Sequence, residues 1–143
     1  MAGRLDGKVC VITGAGGGMG REAAIVFTGE GARVCVADLD LALAEETVSM
    51  CSGDAFAFGV NVADEDGVRA MYAATAERFG GIDVLCNVAG GFRMGEAVHE
   101  TSAETWCFLF DINAHTVLNA VRAVVPPMLE AARSVTVALT IVA

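Results

Sequence analysis

The sequence predicts an α/β fold: a doubly wound parallel sheet of about five strands in the order 3-2-1-4-5. Three observations carry this. Strand-like and helix-like segments alternate along the chain, which implies right-handed β–α–β crossovers. The strand segments are almost wholly apolar, as parallel strands covered by helices on both faces must be. The first strand, Val9-Cys10-Val11-Ile12-Thr13, runs straight into a glycine cluster that opens a helix at Arg21-Glu22-Ala23-Ala24.

The remaining elements follow in order. Residues 33–37 form a second strand, and Asp40 is placed to cap a helix over 41–50. Residues 55–60 read as the third strand. Val68, Met71, Tyr72, Thr75 and Phe79 recur at helical spacing, and Gly80-Gly81 stops that helix. Residues 82–87 are the fourth strand. Trp106, Leu109, Phe110, Asn113, Val117, Val121, Val124 and Met128 keep one face over roughly seven helical turns, and Pro126-Pro127 should kink or end that helix. Residues 134–142, rich in Val, Thr and Ile, read as a fifth strand. Residues 1–143 are expected to form one domain.

Composition narrows the function classes. The chain is 55% hydrophobic and 19% charged, which argues against disorder. A net charge of −9 disfavours nucleic acid and anionic membranes, both of which select a basic face. No targeting segment is visible, and the apolar run at 135–143 is too short to span a bilayer. The five cysteines form no C-x-x-C pair and read as small hydrophobes in a reducing cytoplasm. His99 and His115 lack neighbouring ligands, so no metal site is expected.

The glycine cluster, Gly14-Ala15-Gly16-Gly17-Gly18-Met19-Gly20, is the chemical signal. Glycines admit φ > 0 and let the backbone come close to a pyrophosphate, while the following helix offers unpaired N–H groups and its positive dipole end. Asp38, ending the second strand, is an acid placed to accept hydrogen bonds from ribose hydroxyls. The NTPase loop G-x-x-x-x-G-K-[ST] is excluded because Lys8 is the only lysine. In the 3-2-1-4-5 order the ends of strands 1 and 4 flank one crevice, so residues 14–20 and 87–90 face each other across it.

These residues resemble the short-chain dehydrogenases/reductases, whose fold is Rossmann-like. Thr13-Gly14-Ala15-Gly16-Gly17-Gly18-Met19-Gly20 is similar to that family's T-G-x-x-x-G-x-G turn, and Asp38-Leu39 to its acidic strand end. Asn61-Val62 resembles the family's Asp-Val adenine contact. Asn87-Val88-Ala89-Gly90 resembles its N-N-A-G, with Asn87 bracing the sheet and Ala89-Gly90 passing the nicotinamide ribose. Asp111-Ile112-Asn113 matches the segment carrying the family's active-site Asn, whose main-chain carbonyl holds a water of the proton relay. The resemblance therefore implies cofactor contacts at Gly14, Gly17, Gly18, Met19, Gly20, Asp38, Leu39, Asn61, Val62, Asn87, Ala89 and Gly90. It favours NAD over NADP, because Asp38 would repel a 2′-phosphate and Gly17 stands where NADP-binding members often carry a base. Arg21 and Arg33 are nearby cations, and Arg21 reads as the start of a helix surface.

The family's catalytic Tyr-x-x-x-Lys has no counterpart here. Tyr72 is the only tyrosine, on the third helix where it should pack, and it has no lysine four positions on. Thr140 falls near the family's catalytic Ser. The expected function is thus the dinucleotide-binding portion of an NAD(P)-dependent oxidoreductase acting on an alcohol or ketone, lacking the family's C-terminal strands and inactive alone. The alternatives are a non-catalytic NAD-binding or interaction protein that pairs with a homologue, and a cofactor-free interaction protein or unstable fragment. An uncovered helix face around Val117, Val121 and Val124 predicts self-association. Residues 91–94 after the fourth strand are placed to line the near wall of a substrate pocket, or to form an exposed loop.

Overall fold

The computed structural model describes residues 3–133 and 136–139. Its strands are β1 (Val9–Thr13), β2 (Arg33–Asp38), β3 (Ala55–Gly59), β4 (Val84–Asn87) and β5 (Thr136–Leu139). Its helices are α1 (Gly18–Gly29), α2 (Leu41–Met50), α3 (Glu65–Phe79), α4 (Ala103–Phe110) and α5 (Thr116–Glu130). A 3₁₀ turn at Val98–Glu100 precedes α4, and a π-helical segment at Asp111–His115 joins α4 to α5.

The sheet is parallel in the order β3-β2-β1-β4-β5, as the alternation of elements predicts. β1 is central and buried along its whole length. Its last residue, Thr13, pairs with Ala37 of β2 on one side and Asn87 of β4 on the other. That register puts the loops leaving β1, β2 and β4 side by side at the carboxyl edge of the sheet.

Side chains alternate between two cores, following the two-residue period of a strand. Val11, Cys35 and Leu85 pack with Val68 and Met71 of α3 and Val124 and Met128 of α5. Cys10, Ile12, Val34 and Val36 face Ala24 of α1 and Ala44 of α2, small residues that let those helices lie close to the sheet. Each buried Val, Leu or Ile contributes roughly 1.5–3 kcal/mol of burial free energy. Tyr72 is half-buried against the first of these cores, in the packing role its spacing suggests.

Local signals place the helix ends. Asp40 accepts from the N–H groups of Ala42 (3.0 Å) and Leu43 (3.4 Å), capping α2. Asp64 accepts from Asp66 N–H and caps α3, with Glu65 and Asp66 complementing the dipole in its first turn. Gly80, at φ 84°, ends α3 in the left-handed conformation.

The region after β4 departs from the sequence reading in three ways. The seven-turn helix is not continuous: the π-helical segment interrupts it, and an inserted residue rotates α5 about its axis relative to α4 by about 100°. Trp106 and Phe110 therefore do not share the buried face of Val124 and Met128, and are 67% and 60% exposed. Pro126 and Pro127 do not end α5, which runs on to Glu130. Finally, the apolar face around Val117, Val121 and Val124 is largely covered, Val117 being half-buried. Val124 is fully buried against the sheet and α3, and Val121 packs on the same core. The large apolar residues of these helices that are exposed are Trp106, Phe108, Phe110, Leu118 and Leu129.

Candidate functional site

The glycine turn is fastened at its base and open at its tip. Ala15 N–H donates to Ala37 O of β2 at 3.0 Å. Gly16 N–H donates to Asp38 Oδ2 at 2.8 Å. Both residues are buried, whereas Gly17, Gly18 and Met19 are exposed. No acceptor among the described residues reaches the amides of these three. Gly17 offers no side-chain cap to α1, and no acidic residue occupies its first turn. The positive end of the α1 dipole is thus left for an anion.

The glycines are required by close approach. A Cβ on Gly14, which has φ +66°, would come within 2.7 Å of the Ala89 backbone. One on Gly16 would sit 2.8 Å from the Asp38 carboxyl, and one on Gly20 would lie 2.2 Å from Gly14 O. Backbone thus meets backbone where β1 and β4 diverge. Thr13 ties the two sides, its Oγ1 accepting from Ala89 N–H at 3.3 Å.

Between these walls lies a crevice of about 170 Å³, lined by Gly14, Asp38, Leu39, Val60, Asn61, Val62, Ala89, Gly90 and Ile112. Seven of these are candidate residues named from sequence. Asp38 is half-buried, with Oδ1 accepting from Asp40 N–H at 3.0 Å. Two of its roughly four acceptor positions are used, and the rest are free for a ligand. Asn61 is exposed and accepts from Ala63 N–H at 3.0 Å, an Asx turn that still leaves its amide donors and a second oxygen lone pair. Asn87 is buried at the end of β4 and lines the base of the loop rather than the crevice. Gly17, Gly18, Met19 and Gly20 sit on the adjoining rim at the start of α1.

Asn113 lies in the π-helical segment, and its side chain closes on Gly91. Its Nδ2 donates to Gly91 O (2.8 Å) and Leu109 O (2.9 Å), while its Oδ1 accepts from Gly91 N–H (3.1 Å). The side chain thus fixes the loop after β4, which gives it a positioning role besides the main-chain role expected from sequence. Thr140 lies outside the described residues.

Two positioning residues escape a reading by spacing alone. Asn119 of α5 is buried and directs its Nδ2 to Val62 O (3.4 Å) and Ala63 O (3.3 Å), holding the segment after β3. A polar residue on the buried stripe of α5 was the available signal. Arg21 does not begin a helix surface: its side chain folds under the glycine turn to reach Gly16 O and α2.

Lys8, preceding β1, is at the opposite end of the sheet, about 16 Å from the crevice for a strand of this length. Beyond β4, a second cavity of about 490 Å³ opens among Phe92, Arg93, Met94, Val98, Thr105 and Leu109. Arg93 stacks there on Phe108 at 4.1 Å from the ring centroid. Burial pushes the thiols of Cys10 and Cys35 up to about 12 and raises that of Cys86, so none of the three is a reactive thiolate at neutral pH. No helix among the described residues is long and apolar enough to cross a membrane.

Comparison with known proteins agrees with this geometry. The family described as short chain dehydrogenase matches residues 8–143. The chain is 36% identical over 130 residues to a sorbitol dehydrogenase of Cereibacter sphaeroides, covering 91% of this chain and 50% of that protein. It is 39% identical over 131 residues to a D-threitol dehydrogenase of Mycolicibacterium smegmatis, covering 90% and 50%. Among solved structures it superposes on a hydroxysteroid dehydrogenase of Escherichia coli with a TM-score of 0.82 and 31% identity, covering 90% of this chain and 55% of that one. The chain spans about half the length of the curated relatives it matches. On its sequence match and its sheet topology together, it belongs to the short-chain dehydrogenase family of oxidoreductases.

Proposed function

We propose that residues 1–143 are the dinucleotide-binding portion of an NAD-dependent short-chain dehydrogenase/reductase acting on a small alcohol or ketone. The observation that carries this reading is the juxtaposition of the Asp38 carboxylate with the unpaired amides of Gly17, Gly18 and Met19. The amides suit a pyrophosphate, and the free acceptor positions of Asp38 suit the two hydroxyls of an adenosine ribose. A 2′-phosphate would bring a second anion against that carboxylate, so NAD(H) is preferred over NADP(H). Asn61 and Val62 would flank the adenine. Ala89 and Gly90 would pass beside the nicotinamide ribose, on a loop held by Thr13 and Asn113. When bound, the dinucleotide supplies the hydride acceptor or donor.

The remaining chemistry is proton transfer at the alcohol oxygen, which needs a positioned acid–base group. Tyr72 is packed on α3 and Lys8 lies at the far end of the sheet, so neither serves. We therefore infer that these 143 residues hold the cofactor and do not themselves supply that acid. The 490 Å³ cavity beyond β4 forms one wall of the substrate pocket in this reading. The exposed apolar residues of α4 and α5 favour self-association, and five free thiols, three of them buried, fit a reducing cytoplasm.

Isothermal titration of the folded chain with NADH and NADPH tests the proposal. Saturable NADH binding, at least tenfold tighter than NADPH, is the expected result. Absence of NADH binding to a chain folded by circular dichroism would overturn it.

A further inference from the structure

The Ala15-Gly16 segment spends all four of its main-chain polar groups on other elements. Ala15 N–H goes to Ala37 O, and Gly16 N–H to Asp38. Ala15 O accepts from Thr47 Oγ1 at 2.8 Å, and Gly16 O accepts from Arg21 Nη2 at 2.6 Å. The three amides beyond it are unspent. We propose that Arg21 is a positioning residue that aims the Gly17 N–H at the pyrophosphate, resting on the NAD reading above.

In a trans peptide the C=O and N–H vectors are antiparallel. A guanidinium that holds Gly16 O beneath the turn therefore directs the N–H of Gly17 to the opposite, open side. A charged donor on that carbonyl also polarises the peptide and strengthens its N–H as a donor. Arg21 is itself held, because Nε donates to the buried Thr47 Oγ1 at 3.0 Å and Nη1 to Glu46 Oε1 at 3.1 Å. Its side chain is 21% exposed, so the fork is committed to the turn and α2 instead of to solvent. Lysine has one ammonium and cannot reach Gly16 O, Thr47 and Glu46 with this planar spread.

The test separates aim from stability. Affinities for NADH and for adenosine, which lacks the pyrophosphate, are measured on the full chain with Arg21→Ala and Arg21→Lys. Arg21→Ala is expected to weaken NADH about tenfold while leaving adenosine within twofold, and Arg21→Lys to recover only part of the loss. Guanidinium ion at low millimolar concentration should restore NADH binding to Arg21→Ala. If Arg21→Ala does not fold, Thr47→Val replaces it, with a smaller pyrophosphate-dependent loss expected. Equal loss for NADH and adenosine, or no loss for NADH, overturns the inference while leaving the NAD reading intact. Failure of the parent chain to bind NADH overturns both.

Discussion

One side chain, that of Asn113, closes both main-chain groups of Gly91: Nδ2 donates to Gly91 O at 2.8 Å and Oδ1 accepts from Gly91 N–H at 3.1 Å. The contact joins the π-helical segment to the loop that leaves β4, so the far wall of the crevice is held by this amide together with the Thr13 hydroxyl. A Cβ on Gly90 would come within 2.6 Å of the same Oδ1, which explains glycine there.

Replacing Asn113 by Asp turns a donor into a second acceptor facing two carbonyls, Gly91 O and Leu109 O. Two hydrogen bonds are lost and the oxygens repel. The variant is expected to lose about 1–3 kcal/mol of stability, read as a lower urea midpoint at unchanged m-value.

Ala132 takes a left-handed φ of 50° just after α5, where Ala132 N–H and Arg133 N–H close on Leu129 O and Met128 O. A Cβ is strained in this conformation and glycine is not. Ala132→Gly should therefore stabilise the fold by about 0.5–1 kcal/mol, seen as a rise in Tm of a few degrees.

The buried thiols give stability a defined alkaline limb. Cys10 and Cys35 titrate near 9.0 when unfolded and are pushed to about 12 by burial. Between those values the unfolded chain has released protons that the folded chain still holds. Stability is thus fully present below pH 9 and falls as pH rises toward 12, with a limiting slope of about 1.4 kcal/mol per pH unit for each thiol. Urea melts from pH 8 to 10.5 should show the decline, and Cys35→Val combined with Cys10→Ala should flatten it. In the same fold the exposed Cys107 should react first with a thiol reagent, and Cys10, Cys35 and Cys86 only on unfolding.

Trp106, Phe110, Leu118 and Leu129 leave apolar surface exposed along α4 and α5. The chain is expected to self-associate at micromolar concentration in sedimentation velocity, and Phe110→Glu with Leu118→Glu to shift it toward monomer. A monodisperse parent monomer would contradict this.

The elements legible in sequence are those whose cause is local. An apolar strand, a capping aspartate at 40 and a left-handed glycine at 80 each act within a few residues, and the sheet order follows from their alternation. The π-helical segment was hidden because Trp106 to Asn113 and Val117 to Met128 each keep helical spacing; the one-residue phase slip between them separates exposed Phe110 from buried Met128. Pro126 and Pro127 removed two N–H donors without ending α5, because packing of Val124 and Met128 on both sides of the prolines holds the helix. In the candidate site, the glycines and Asp38 were visible because their residue types are required. Arg21 and Asn119 were not, because the Thr47 hydroxyl that holds Arg21 and the Val62 carbonyl that Asn119 reaches lie 26 and 57 positions away.

The most direct measurement is the melting temperature of the folded chain with millimolar NADH, NADPH or no ligand. Binding of NAD in this crevice predicts a clear rise with NADH, a smaller one with NADPH, and loss of this discrimination in Asp38→Ala. An unchanged melting temperature with NADH, or an equal rise with NADPH in the parent chain, would contradict the assignment of this crevice to NAD.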